Sequence, residues 1–289
     1  MRATGRMMTK QNVLCALAAA IVFPSLVACA SASAAAGEAT VLSPGRIAEI
    51  VAAPDRTDAD RVNDVRRKPA EMLAFIGIRP GMVALDLSAG GGYTSELLGR
   101  AIGPTGRVYA QAPPRIARPA PAEPEGAAAP AASPAVAPAS AAARPPPAGL
   151  VARTKRVDNI AVVVQPFEDP VPPERASNGL DLVTLMFNYH DLGYLGVDRV
   201  RMNRAVFAAL KLGGLYVIAD HSGRPGTGIS ESGTLHRIEE AFLRQEVESA
   251  GFRLVASGNF LRNPNDPRDR NTPDPPQPKD EFVLKFVRP

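Results

Sequence analysis

Apolar positions fall along the chain in short runs of five to eight, separated by amphipathic stretches that carry their own start and stop signals. "DRTDADRVNDVRRKPAEMLAFIGIRPGM" predicts a charged helix with Asp58 as its cap, running to about Lys68. A second helix then opens on Pro69 and ends before Gly77, with Met72, Leu73, Phe75 and Ile76 on its apolar side. Pro80-Gly81 makes a turn into a buried strand, Met82 to Leu87. "YTSELLGRAIG" is a helix stopped by Gly103, and "GRVYAQ" is a second strand. The pattern lapses from residue 113 to 147, where Ala and Pro dominate and too little apolar surface exists to offset ordering entropy. A disordered insertion is expected there.

Periodicity resumes with a short helix around "LVARTKRV", strands "NIAVVVQ" and "LDLVTLMF", the helix "VDRVRMNRAVFAALKLGG" and a fifth strand, "LYVIAD". A helix over "TLHRIEEAFLRQEVESAG" and two extended runs, "FRLVASGNF" and "DEFVLKFV", complete the chain. Strands alternating with helices predict right-handed parallel units, and two strands without a helix between them predict antiparallel pairing. The expected fold class is α/β: a doubly wound, mostly parallel seven-stranded sheet with the last strand antiparallel, folded from residue 43 to 289.

Composition narrows the partners. The net charge of +4 comes from 33 basic and 29 acidic residues with no basic block to follow a phosphate backbone, so nucleic acid is not an expected partner. Arg2, Arg6 and Lys10 precede "NVLCALAAAIVF", an apolar run of signal-peptide length. Leu26-Val27-Ala28-Cys29 resembles the lipobox of bacterial lipoproteins, which implies residues 1–29 as signal peptide, Cys29 as the acylated residue and 30–42 as a flexible tether. Ala30-Ser31-Ala32 also suits ordinary signal peptidase. Either route implies the bacterial envelope, with membrane contact only through a lipid anchor. Cys15 leaves with the signal, so the mature chain has no disulfide, thiolate cluster or thiol nucleophile.

The chemistry-bearing stretch is "DLSAGGG". In an open α/β sheet, ligands lie beyond the carboxyl ends of strands at the switch point, and this loop sits there. Its spacing is neither G-x-G-x-x-G nor G-x-x-x-x-G-K-[ST], which disfavours dinucleotides and P-loop nucleotides. Asp86, Gly90 and Gly92 instead match motif I of class I S-adenosylmethionine-dependent methyltransferases, D/E-x-G-x-G-x-G, with Ser88 at the first glycine position. "RKPAEMLAFIGIRPGM", "NYHDL", "ADHSG", "LHRIE", "AGF" and "DEFVLKFVRP" extend the resemblance over the folded chain, to a family of exported bacterial predicted methyltransferases.

The resemblance implies a Rossmann-like methyltransferase fold, S-adenosylmethionine as cofactor and a small-molecule acceptor. The cofactor would lie against Asp86, Ser88, Gly90, Gly91, Gly92 and Tyr93. The acidic ribose partner usual at the end of strand two is missing: Gln111 stands there, which implies weaker cofactor binding. Glycines at such a loop also serve tight strand-to-helix packing without any ligand.

All three histidines follow strands four and five or open the next helix, which puts them on one rim. One reading gives His190, Asp191 and His221 catalytic roles as base and orienting group, with Asn188, Tyr189, His236 and Arg237 on the substrate. A second makes His221 and His236 structural pins. A third is a divalent metal site, but no pair has the helical i, i+4 spacing, and no metal is expected. Two functions follow: an exported methyltransferase, or a non-catalytic exported small-molecule-binding protein on the same fold.

Overall fold

The computed structural model describes residues 40–114, 145–271 and 277–289. The expected signal peptide with Cys29, most of the expected tether and residues 115–144 of the Ala/Pro segment lie outside them.

The apolar runs become a seven-stranded sheet, ordered β3-β2-β1-β4-β5-β7-β6. These are β1 (Val83–Leu87), β2 (Arg107–Ala112), β3 (Ile160–Val164), β4 (Leu180–Met186), β5 (Leu210–His221), β6 (Arg253–Gly258) and β7 (Glu281–Val287). Pairing is parallel from β3 through β5, and β7 lies antiparallel between β5 and β6. The central strands are buried on both faces, which is why they read as continuous apolar runs rather than alternating ones.

Helices α1 (Pro44–Val51), α2 (Asp58–Arg67), α3 (Pro69–Ile76), α4 (Tyr93–Ile102) and α5 (Ala148–Thr154) precede β3. The rest are α6 (Asp191–Tyr194), α7 (Arg199–Ala209) and α8 (Glu240–Ser249). One core joins α1, α3 and α4 to one sheet face through Ile47, Ile50, Leu73, Ile76, Leu98, Ile102 and Val217. The other joins α7 and α8 to the opposite face through Leu85, Val183, Met202, Val206, Leu243 and Phe282.

Three expectations are corrected. The α2 cap is Thr57, not Asp58: Thr57 and Asp60 form a reciprocal capping box. Helix α1, capped by Ser43, was not marked by the pattern. The helix expected from Thr234 starts at Glu240, because Ile238 instead bridges Ser222 and its N–H and C=O bond His221 and Gly223. That detour places His236 at the sheet rim.

Candidate functional site

Asp86 ends β1 fully buried. Its carboxylate accepts hydrogen bonds from Ser95 Oγ at 2.6 Å and Thr184 Oγ1 at 2.9 Å, tying the loop to α4 and β4 rather than capping loop amides. Burial pushes its pKa up to about 6, although both hydroxyls favour the charged form.

Ser88 follows with φ of +58°, a left-handed conformation that explains why glycine suits this position. Two bonds hold it. Its N–H donates to Gln111 Oε1 at 2.8 Å, and its hydroxyl donates to Asn188 Oδ1. Gly92, at φ +82°, leads into α4, where a Cβ would meet Leu150 and Arg153 at 2.8 Å. Gly92, as the N-cap of α4, supplies no side-chain cap, and the Ser95 N–H of the first turn is directed to the buried Asp86 carboxylate.

Gln111 does not match its expected role. It is fully buried, its oxygen is engaged by Ser88 and its Nε2 donates to Gln165 O at 2.6 Å. It braces the loop against β3 instead of offering an acceptor to a ribose.

A cleft of about 220 Å³ opens over the loop, lined by Arg67, Asp86, Ser88, Gly90, Gly91, Tyr93, Phe187 and Asn188. That volume is below the roughly 300–1,000 Å³ usual for small-ligand sites, so the cleft encloses part of a ligand and leaves the rest at the rim. Tyr93 Oη donates to Asp64 Oδ1 at 2.5 Å, and Asp64 in turn holds Arg56, which joins α4 to α2. Arg67 was not singled out from the sequence, where it reads as one charge of a solvated helix face. The left-handed turn at Lys68 and the immediate start of α3 direct it inward. Its guanidinium lies 4.9 Å from the Phe187 ring centre and 5.1 Å from that of Tyr93. Among the described residues it has no carboxylate partner, its Nε is unpaired, and burial lowers its pKa. Arg153 was also missed: it bonds Gly91 O at 2.8 Å while pairing with Asp60 and Glu96, so the helix after the Ala/Pro segment clamps the loop.

The three histidines do converge. The ring centres of His221 and His236 lie 5.3 and 5.7 Å from that of His190. His190 Nδ1 is 2.6 Å from Asp220 Oδ1, and its Nε2 is 3.1 Å from Asp191 Oδ1. Burial opposes its charge, but the hydrogen bonds and charges of Asp191 and Asp220 override it and raise its pKa to about 9. His236 Nδ1 approaches the same Asp191 oxygen at 2.9 Å, and Asn188 donates to the other at 2.7 Å. His221 Nδ1 lies 2.9 Å from Glu281 Oε1 without the alignment of a hydrogen bond, and burial holds its pKa down to about 3.

Neither buried histidine therefore fits the expected general base. His221 is too weak a base near neutral pH, and His190 is already held as a cation.

Two expected substrate residues are elsewhere. Tyr189 is fully buried in the α7–α8 core, donating to Glu246 at 3.0 Å and accepting from Asn203 at 2.9 Å. Arg237 is fully buried against Asp266 at 2.8 Å, with further bonds to Ser222 O and Arg270 O. It anchors the segment that presents His236. Asn188, Asp191 and His236 remain at the rim.

No protein-family model and no curated protein matches the chain. Solved structures do. An S-adenosylmethionine-dependent methyltransferase from Aquifex aeolicus aligns over 86% of this chain and 100% of its own, at 16% identity and a TM-score of 0.51. A candidate methyltransferase from Bacillus halodurans aligns over 76% of this chain and 98% of its own, at 12% identity and a TM-score of 0.50. At such identities the likeness shows the fold. The chain has the class I methyltransferase fold, a seven-stranded Rossmann-like sheet with an antiparallel β7.

Proposed function

We propose that this chain is an exported, lipid-anchored methyltransferase of the exported bacterial family its motifs resemble. It binds S-adenosylmethionine across Gly90–Gly92 and presents a small-molecule acceptor at Asn188 and Asp191.

The observation that carries this reading is Arg67. A guanidinium wedged between Phe187 and Tyr93 beside the glycine loop, with no acidic partner among the described residues, suits a ligand that brings its own carboxylate. The amino-acid end of S-adenosylmethionine has one. Gly90 and Gly91 leave the loop backbone open to close approach, since a Cβ at Gly91 would meet nothing within 4 Å. When bound, S-adenosylmethionine supplies an electrophilic methyl group on sulfonium sulfur. The chain's part is orientation: Arg67 and the glycine loop fix the donor, and Asn188 bridges Ser88 of the donor loop to Asp191 on the acceptor side. With His221 a weak base and His190 held as a cation, the rim favours an acceptor whose nucleophilic lone pair is available near neutral pH.

Gln111 favours the second reading, a non-catalytic binding protein. With its amide engaged at both ends, β2 offers no carboxylate to a ribose. Calorimetric titration with S-adenosylmethionine and S-adenosylhomocysteine decides. Binding of both supports the enzyme, and no binding at millimolar ligand rejects it. Cys29→Ser should release the chain from membranes; retention there would reject the lipid anchor.

A further inference from the structure

The Asp191 carboxylate gathers two imidazole nitrogens on one oxygen. His190 Nε2 lies at 3.1 Å and His236 Nδ1 at 2.9 Å, and the three atoms fall within 4.8 Å of one another. An ion bound at about 2.0–2.1 Å from each ligand in a tetrahedron needs ligands about 3.3 Å apart. Both nitrogen–oxygen separations are already within a few tenths of an ångström of that spacing, and the ring of the part-exposed His236 can adjust to bring its nitrogen to the third.

The surroundings are arranged as metal sites require. His190 Nδ1 is turned to Asp220, whose second oxygen accepts the His190 backbone N–H at 2.8 Å. Asp191 Oδ2 is held by Asn188. Such carboxylate and amide backing fixes the tautomer and orientation of metal ligands. It also sets a conflict. With Nδ1–H given to Asp220, neutral His190 aims an Nε2 lone pair at a carboxylate oxygen 3.1 Å away. A positive charge between the two removes the repulsion, and a proton or a metal ion can supply it.

His236 completes the set from a separate segment. Its backbone is left-handed, with φ of +52°, and the buried Arg237–Asp266 pair beside it holds that strained turn in place. Its half-exposed ring opens the cluster to solvent, which gives an ion a way in.

We propose that His190, Asp191 and His236 bind one divalent transition-metal ion. Two nitrogens and one carboxylate oxygen favour zinc and its neighbours over magnesium or calcium. Three protein ligands leave a fourth position for water or for an oxygen of the acceptor. The metal site stands independently of the methyltransferase reading; only the acceptor oxygen rests on it.

The test uses the untagged chain, stripped with chelator, dialysed and shown to be folded by circular dichroism. Zn²⁺ is titrated by calorimetry and Co²⁺ by visible absorption, with S-adenosylmethionine titrated separately on the same samples. The expected result is one equivalent of either metal and Co²⁺ ligand-field bands. His236→Ala, which removes the half-exposed ligand, should weaken Zn²⁺ at least about tenfold, as should Asp191→Asn. If Asp191→Asn does not fold, His236→Ala decides alone. A folded wild-type chain that takes up neither metal at millimolar concentration overturns the proposal. So does affinity that His236→Ala leaves unchanged, since the ion then sits elsewhere. S-adenosylmethionine binding by a chain that takes up no metal would refute the metal site alone.

Discussion

Asp86 offers a test in which the sign of the effect is opposite to ordinary intuition. Replacing a fully buried, doubly hydrogen-bonded carboxylate normally destabilises a fold. Here burial raises its pKa from 3.8 to about 6, so ionisation is harder in the folded chain than in the unfolded one. Below the unfolded value both states are protonated and the contribution to stability is fully present. It is lost as pH rises through about 6, because only the unfolded chain gives up its proton easily across that window. At about 1.4 kcal/mol per pKa unit, the loss above pH 7 comes to about 3 kcal/mol, shrinking to roughly 1 kcal/mol near pH 4.5. Asp86→Asn keeps the shape and the hydrogen bonds, since one of the Ser95 and Thr184 hydroxyls can donate to Asn Oδ1 while the other rotates to accept from Nδ2.

The asparagine variant should therefore be more stable than wild type at pH 7.5, by about 5–10 °C in melting temperature, and only slightly more stable at pH 4.5. Melting followed by circular dichroism across that range measures it. A variant less stable at pH 7.5, or a difference that does not change with pH, would refute the reasoning. The same substitution should weaken S-adenosylmethionine binding if the ionised carboxylate is kept for the ligand's sake, which would explain a residue that lowers stability at neutral pH.

Arg67→Met should lower S-adenosylmethionine affinity about ten- to a hundredfold by calorimetry, the loss of one charge-assisted bond, without lowering the melting temperature, because it removes an unpaired charge. Gln111→Glu should not restore a ribose contact: it sets a carboxylate against Gln165 O in place of a donor, and urea unfolding should show a loss of about 1–3 kcal/mol. Arg237→Met should cost about 3–5 kcal/mol by leaving Asp266 buried without its partner, with part recovered by adding Asp266→Asn; equal stability of single and double variants would contradict the buried-pair account.

The central strands were legible because parallel strands must be apolar on both faces, and the runs "MVALDL" and "LDLVTLMF" announce that directly. The rim was legible for the same reason: residues just past those strands gather at one edge, which brought all three histidines together. Side-chain direction at the rim was not. "NYHDL" lies past the end of β4, where no period says that Tyr189 turns into the core while Asn188 turns to the cleft. The segment before α8 has helix-forming residues, yet the Ser222 bridge and the Arg237–Asp266 pair override that local preference. Gln111 could be seen to lack a charge, but its engagement by Ser88 and Gln165 is set by strands β2 and β3, which only the fold brings beside the loop.

Strain marks the same place. Ser88, Phe187 and His236 are left-handed, with φ of +58°, +60° and +52°, a conformation that costs a non-glycine residue about 1–3 kcal/mol. Ser88 and Phe187 line the cleft, and His236 reaches it through Asp191 and Asn188. Glycine-loop packing alone would need Gly90 and Gly92 to be left-handed, not a phenylalanine three residues before a buried histidine. Asn188 accepts from Ser88 and donates to Asp191, so it cannot shift without disturbing both the donor loop and the histidine cluster. If both ligands bind one arrangement of this bridge better than the other, each changes the affinity of its counterpart by the same factor. On this account, S-adenosylmethionine should alter Zn²⁺ affinity as much as Zn²⁺ alters that of S-adenosylmethionine, and Asn188→Ala should remove the coupling before it removes either binding event.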